Sequence, residues 1–153
     1  MDFLIDTGVL LRLTIRSDPA HAEARHAIRI LKARNERLIT LAQNIAEFWN
    51  VCTRPASARG GYELPIDETA KKLRLVERII EIRSDSANSF QQWKRLVIQY
   101  AVRGVKVYDA RLVAAMIVEN VTNLLTFNVD DFKRYPQITA LSPVEVIQED
   151  REQ

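Results

Sequence analysis

Short apolar runs alternate with longer segments of helical periodicity along this chain, and that alternation limits the folds it can adopt more than any other feature. The apolar runs predict strands at 3–5, 38–41, 79–82, 123–126 and 138–141. Strands that alternate with helices form parallel sheets covered by helices on both faces and joined by right-handed crossovers. The sequence therefore predicts an α/β fold with a central, mainly parallel sheet of about five strands.

The segments between these runs have the apolar spacing of helices. Helices are predicted at 19–33, 43–52, 67–78, 86–102 and 110–118. Asp67 is expected to cap the third of them and Gly104 to end the fourth. The last helix is apolar almost all round, so it should be buried. Residues 53–65 carry most of the turn-forming residues and are expected to form a loop within one domain, 1–148, followed by a flexible tail, 149–153.

Composition removes several classes of protein. Cys52 is the only cysteine of the 153 residues, which excludes an internal disulfide and zinc sites of the Cys₄ or Cys₂His₂ type. The N-terminus has an acid where a signal peptide needs basic residues, and no apolar run approaches the ~20 residues of a membrane span. A cytoplasmic protein is expected. The net charge of +2 permits an anionic partner without requiring one.

Acidic residues follow two of the predicted strands. Asp6 ends the first strand, and Asn128 and Asp131 follow the fourth. Glu47 and Asp109 lie on predicted helices, near the ends that begin at the same edge of the sheet. Ligands bind to parallel sheets outside the carboxyl ends of the strands, so these side chains could converge there. Clustered carboxylates repel one another unless a cation neutralises them, and oxygen ligands without Cys or His select Mg²⁺ or Mn²⁺.

Each acid taken alone has a simpler structural explanation. Asp6 can turn the chain after a strand. Asp109 can cap its helix by accepting hydrogen bonds from free N–H groups. Glu47 lies off the apolar face of its helix, as a solvated residue does. A catalytic interpretation therefore depends on reading the acidic positions together.

Read together, the motifs resemble the signature of the PIN-domain family, and specifically of VapC-type toxins, over essentially the whole chain. The matching motifs, in order, are Asp6-Thr7-Gly8, Ile45-Ala46-Glu47-Phe48, Tyr108-Asp109-Ala110-Arg111-Leu112, and Leu125-Thr126-Phe127-Asn128 with Asp131-Phe132. The resemblance implies a three-layer α/β/α fold and a divalent metal held mainly by Asp6 and Asp109, with Glu47 as the third acid. It also implies an RNA substrate, a homodimer and a cognate antitoxin protein.

Two positions depart from the family pattern. Many relatives have Thr-x-Asp after the fourth strand, whereas this chain has Asn128, which adds no charge. Either Asp131 supplies the missing acid or the site works with three. Tyr108 stands where close relatives often carry His. Both departures leave the three main acids in place.

The predicted function is that of a metal-dependent endoribonuclease, the toxin of a toxin–antitoxin pair, which hydrolyses RNA phosphodiester bonds. Basic residues must offset the repulsion between an acidic site and RNA, and the candidates are Arg12, Arg16, Arg54 and Arg59. Asp-Thr-Gly is also the aspartic-protease signature, but the helical pattern excludes that all-β fold. A phosphatase or receiver domain would leave Glu47 and Asp109 unexplained. The alternative is a PIN-like RNA-binding or regulatory module that has lost catalysis, for which Asn128 is the support.

Overall fold

The five predicted strands form one parallel sheet. In the computed structural model, which describes residues 1–153, the strands are β1 (Asp2–Ile5), β2 (Arg37–Leu41), β3 (Glu81–Arg83), β4 (Asn123–Leu125) and β5 (Thr139–Leu141). Their order is β3-β2-β1-β4-β5, and every neighbouring pair is parallel. Ile5 pairs with Leu125, so β1 and β4 end side by side at the point where the strand order reverses.

Seven helices cover the two faces of the sheet. They are α1 (Thr7–Thr14), α2 (His21–Ala33), α3 (Ala42–Thr53), α4 (Ile66–Ile79), α5 (Ser89–Gln99), α6 (Lys106–Val118) and α7 (Pro143–Glu152). A 3₁₀ turn at Val129–Phe132 follows β4. None of these helices is long and apolar enough to cross a membrane.

The side chains of β1 alternate between the two faces of the sheet, and the core is divided into two clusters accordingly. Helices cover both faces, which confirms the three-layer α/β/α fold. Phe3 and Ile5 pack on one face with buried residues of α1, α2, α3, α4 and α7. Leu4, between them, packs on the other face with α5 and α6. Successive strand residues point to opposite faces, so a strand buried on both sides must be apolar throughout. Helix α6 supplies a run of buried residues to the second cluster, as its all-round apolar sequence predicts.

Several predicted boundaries were wrong. Helix α1, which begins directly after Asp6, was not predicted, and β3 begins at Glu81 because α4 continues to Ile79. The residue that caps α4 is Pro65, whereas the predicted cap, Asp67, lies in the first turn of the helix. Gly104 does not end α5, which stops at Gln99.

The C-terminal end of the chain forms a helix. Residues 149–152, expected in a flexible tail, belong to the last turns of α7. Ser142 and Glu145 form a capping box that starts this helix: Ser142 Oγ accepts the Glu145 N–H at 3.2 Å, and Glu145 Oε2 accepts the Ser142 N–H at 2.6 Å. Arg34, the residue directly after α2, donates from Nη2 to Asp150 Oδ1 on α7 at 2.9 Å.

Candidate active site

The predicted acidic residues lie at the carboxyl edge of the sheet, where the strand order reverses. Asp6 follows β1, Thr126 follows β4, and α3 starts directly after β2. The Asp6 N–H donates to the Leu125 carbonyl at 3.0 Å, which continues the β1–β4 pairing up to the acid. The pairing of β1 with β4 therefore sets the position of the backbone at the base of the site.

Two hydrogen bonds hold the Asp6 carboxylate. Oδ1 accepts the Thr7 N–H at 2.8 Å, which makes Asp6 the N-cap of α1, and Oδ2 accepts the Thr126 hydroxyl at 2.7 Å. Thr126 is completely buried. Burial raises the pKa of Asp6 more than these donors lower it, and the negative charges of Glu47 and Asp131 raise it further. Asp6 is thus a helix cap in addition to a member of an acidic cluster.

Thr7 connects Asp6 to Glu47. Its hydroxyl donates to Glu47 Oε2 at 2.7 Å, while its backbone N–H binds Asp6. Asn44, which is buried, donates from Nδ2 to Thr7 Oγ1 at 3.1 Å, and Gln43 Nε2 donates to Glu47 Oε1 at 3.1 Å. Glu47, in the middle of α3, is therefore held by polar contacts and is not simply a solvated helix residue.

Asp109 lies in the first turn of α6 with 31% of its side chain exposed. The helix begins three residues earlier, so Asp109 is not its N-cap. Burial raises the pKa of Asp109 to about 6; Lys106 opposes the rise, and the charges of Asp6, Asp131 and Glu47 add to it. The charges of the other three acids therefore all act on Asp109.

Asn128 and Asp131 occupy different surroundings after β4. Asn128 is exposed, and it contacts the site through its backbone N–H, which donates to Thr126 Oγ1 at 3.0 Å. Asp131, in the 3₁₀ turn, accepts a 2.8 Å hydrogen bond from Lys106 Nζ, and its charge raises the pKa of both Asp6 and Asp109. Asp131 therefore places a negative charge close enough to affect Asp6 and Asp109, whereas Asn128 adds none.

The chemistry of these side chains fits a hard divalent cation. Asp6, Glu47, Asp109 and Asp131 offer carboxylate oxygens only, the ligands that Mg²⁺ and Mn²⁺ prefer. Burial, and then the charges of neighbouring acids, raise the pKa of both Asp6 and Asp109, and Lys106 opposes the rise at Asp109. In the structure no three Asp, Glu, His or Cys side chains are arranged so that they could hold a metal ion. A cation bound among these acids would relieve their repulsion.

The basic residues predicted to border the site have varied surroundings. The Arg12 guanidinium lies 4.5 Å from the ring centroid of Phe127, and it donates to the Gly8 carbonyl at 3.0 Å. Arg16 lines a separate groove between α2 and α4. The side chain of Arg54 donates to the backbone carbonyl of Arg59 within the loop. Of these residues, Arg12 is the one whose contacts join segments that flank Asp6.

Sequence reasoning missed four residues that hold the acids in place. Thr7 and Thr126 were noted only as parts of motifs, and Gln43 and Lys106 were not noted. The spacings of Gln43 to Glu47 and Lys106 to Asp109 are those of neighbours on a helix surface, and this signal was present in the sequence.

Tyr108 is 56% exposed, and its backbone carbonyl accepts a 3.4 Å hydrogen bond from Gln43 Nε2.

Comparisons with known proteins agree with this architecture. The model of the PIN domain family matches residues 3–138. Among solved structures, VapBC2 from Rickettsia felis bound to a promoter DNA fragment has a TM-score of 0.68 at 18% identity, covering 93% of this chain and 98% of that one. VapC20 from Mycobacterium tuberculosis, described as a toxin that cleaves the sarcin–ricin loop, has a TM-score of 0.64 at 16% identity, covering 87% and 95%.

A third solved structure, DNA-bound VapBC from Salmonella typhimurium, has a TM-score of 0.64 at 16% identity and covers 94% of this chain and 98% of that one. A comparison with curated proteins finds no match. At these identities the structural likeness demonstrates a shared fold.

Proposed function

This chain belongs to the PIN domain family, and we propose that it is a metal-dependent endoribonuclease that hydrolyses phosphodiester bonds in RNA. The observation that carries the proposal is the gathering of Asp6, Glu47, Asp109 and Asp131 at the carboxyl edge of the sheet, where burial, and then the charges of neighbouring acids, raise the pKa of Asp6 and Asp109. Uncompensated carboxylates reduce stability, so a fold retains them where a function needs them.

Asp6, Glu47 and Asp109 are the proposed metal ligands, with Asp131 as the fourth acid. A bound Mg²⁺ or Mn²⁺ would activate water and neutralise charge on the phosphate. Thr7 and Thr126 hold the carboxylates of Glu47 and Asp6 by donating hydroxyl hydrogen bonds, each 2.7 Å long. These donors orient the carboxylates before any ligand arrives, so less ordering is needed when one binds.

Glu47 has one further proposed role. Gln43 and Thr7 each donate to one of its oxygens. A carboxylate oxygen accepts more than one hydrogen bond, so Glu47 can complete the coordination of the metal or accept a proton from an attacking water. Asp109 and Asp6 then carry the main electrostatic interaction with the metal.

The proposed partners follow from the proteins that share the fold. The Rickettsia felis and Salmonella typhimurium structures are VapBC complexes. We propose that this chain likewise is a toxin with a cognate antitoxin protein, and that it acts as a homodimer. The RNA substrate implies that it acts in the cytoplasm.

The direct test is cleavage of RNA by the purified chain in Mg²⁺ or Mn²⁺, compared with EDTA. The expected result is cleavage that needs the metal and that Asp6→Asn and Asp109→Asn abolish. Asp67→Asn is the matched control, because Asp67 is also an acid in the first turn of a helix but is exposed. It should cleave at the wild-type rate.

Two outcomes would contradict the proposal. Full activity of Asp6→Asn or Asp109→Asn would show that the acidic cluster is not the catalytic site. RNA binding without metal-dependent cleavage by the wild-type chain would instead favour the catalytically impaired RNA-binding module, for which Asn128 is the sequence evidence.

A further inference from the structure

A lysine already lies between two of the candidate metal ligands. Lys106 Nζ is 2.8 Å from Asp131 Oδ1 and 3.9 Å from Asp109 Oδ2. Lys106 and Asp109 are three residues apart in the first turn of α6, whereas Asp131 comes from the 3₁₀ turn after β4. The ammonium therefore bridges two elements that come together only in the folded chain.

We propose that Lys106 is an internal counter-ion, which positions Asp131 beside Asp109 when no metal is bound and which a divalent cation must displace in order to bind. The inference rests on the metal site of the proposed function and adds a residue that sets its affinity. Without Lys106, the four acids would have no cationic side chain within ion-pair distance, since no other basic group pairs with Asp6, Glu47, Asp109 or Asp131.

The chemistry of the contact favours a competitive role. The ammonium donates a hydrogen bond to Asp131 and lies within ion-pair distance of Asp109, and a metal ion held by Asp109 would compete with it for that carboxylate. A lysine side chain is cationic at neutral pH, so the competition is between two cations. Lys106 is also 41% exposed and has a flexible stem, so its head group can turn towards water when the carboxylates bind another cation.

The expected size of the effect is modest because the contacts are solvent-accessible. An exposed ion pair corresponds to a change of about two- to fivefold in an equilibrium constant. Removing the charge of Lys106 should therefore tighten Mn²⁺ binding by about that factor. It should also lower the melting temperature in EDTA, because the carboxylates then repel one another without compensation.

The test is calorimetric measurement of Mn²⁺ binding to the full chain at low ionic strength, with thermal melts in EDTA beside it. Lys106→Met removes the charge and keeps most of the stem, whereas Lys106→Arg keeps the charge and should restore wild-type behaviour in both assays. Lys133→Met is the matched control, because Lys133 pairs with Asp130 at the same three-residue spacing at 2.6 Å, outside the cluster. It should leave the affinity for Mn²⁺ unchanged.

The possible failures can be told apart. If the wild type binds Mn²⁺ and Lys106→Met binds it with equal or lower affinity, Lys106 does not compete with the metal and this inference is overturned alone. Equal tightening in Lys133→Met would also overturn it, because the effect would then be one of net charge. If the wild type binds no Mn²⁺, the metal site of the proposed function fails and the inference fails with it.

Discussion

Replacing Asp109 with Asn should stabilise the metal-free protein at neutral pH. In the folded chain the pKa of Asp109 is raised from 3.8 to about 6, chiefly by burial. A difference of ~2 pKa units corresponds to about 3 kcal/mol of free energy of unfolding. Because 31% of the side chain is exposed, water screens part of this energy, and we expect about 1 kcal/mol. For a domain of this size that raises the melting temperature by about 2–4 °C.

The gain should depend on pH in a defined direction. A carboxyl whose pKa is raised by folding binds more protons in the folded than in the unfolded state between its two pKa values, so its contribution to stability falls as pH rises through that window. Below pH 3.8 the carboxyl of Asp109 is protonated in both states and Asn gives no advantage. The difference in free energy of unfolding between the variant and the wild type should grow between pH 3.8 and about pH 6, and it should stay constant at higher pH.

Thermal melts in EDTA at low salt, from pH 4.5 to 7.5, measure this difference. Asp67→Asn is the control, because Asp67 is an exposed first-turn acid that interacts only with the helix dipole. Its replacement should lower the free energy of unfolding by up to about 1 kcal/mol. Asp109→Asn should instead raise the free energy of unfolding. A variant destabilised to the same extent as the control, or a gain that is independent of pH, would refute the reasoning and make Asp109 a structural residue of α6.

Three further outcomes test the site. Millimolar Mg²⁺ should raise the melting temperature of the wild type, because a ligand that binds the folded state stabilises that state. The melting temperature of Asp6→Asn should rise less. Equal rises in the two proteins would contradict a metal site at Asp6. Asp131→Asn should weaken Mn²⁺ binding measured by calorimetry more than Asn128→Ala does, with the exposed Asp130→Asn as control. Thr126→Val should lower the free energy of unfolding, measured with denaturant, by about 1–3 kcal/mol, because it removes the buried hydroxyl that donates to Asp6. Thr126→Ser keeps a hydroxyl and should restore that stability.

The strands were the most predictable part of the fold. The central strands β1, β2 and β4 are buried by their neighbours and by the covering helices, so each has an apolar run that the sequence displays, whereas the edge strands β3 and β5 are more exposed. Helix α1 escaped prediction because Asp6-Thr7-Gly8 has the composition of a turn, whereas in the structure Asp6 caps a helix that starts at once. The end of α5 was misplaced because Ala101, rather than a glycine, takes the positive φ of 49° that follows the helix.

The acids of the site could be predicted by type and order, but not the contacts that hold them. Thr7 and Glu47 are 40 residues apart, and Lys106 and Asp131 are 25 apart. Such pairs come together only when α1 meets α3 and when α6 meets the turn after β4. Local periodicity carries no information about these distances, so the sequence left open whether Asn128 or Asp131 completes the cluster.

The charge balance explains how an acidic site can coexist with an anionic substrate. Asp6, Glu47, Asp109 and Asp131 together with Lys106 carry three negative charges, so the rest of a chain of net charge +2 carries five positive ones. The RNA proposed as substrate would therefore meet a net positive charge over the rest of the chain, and repulsion would come from the carboxylates at the edge of the sheet. A divalent cation at that edge removes most of the local excess.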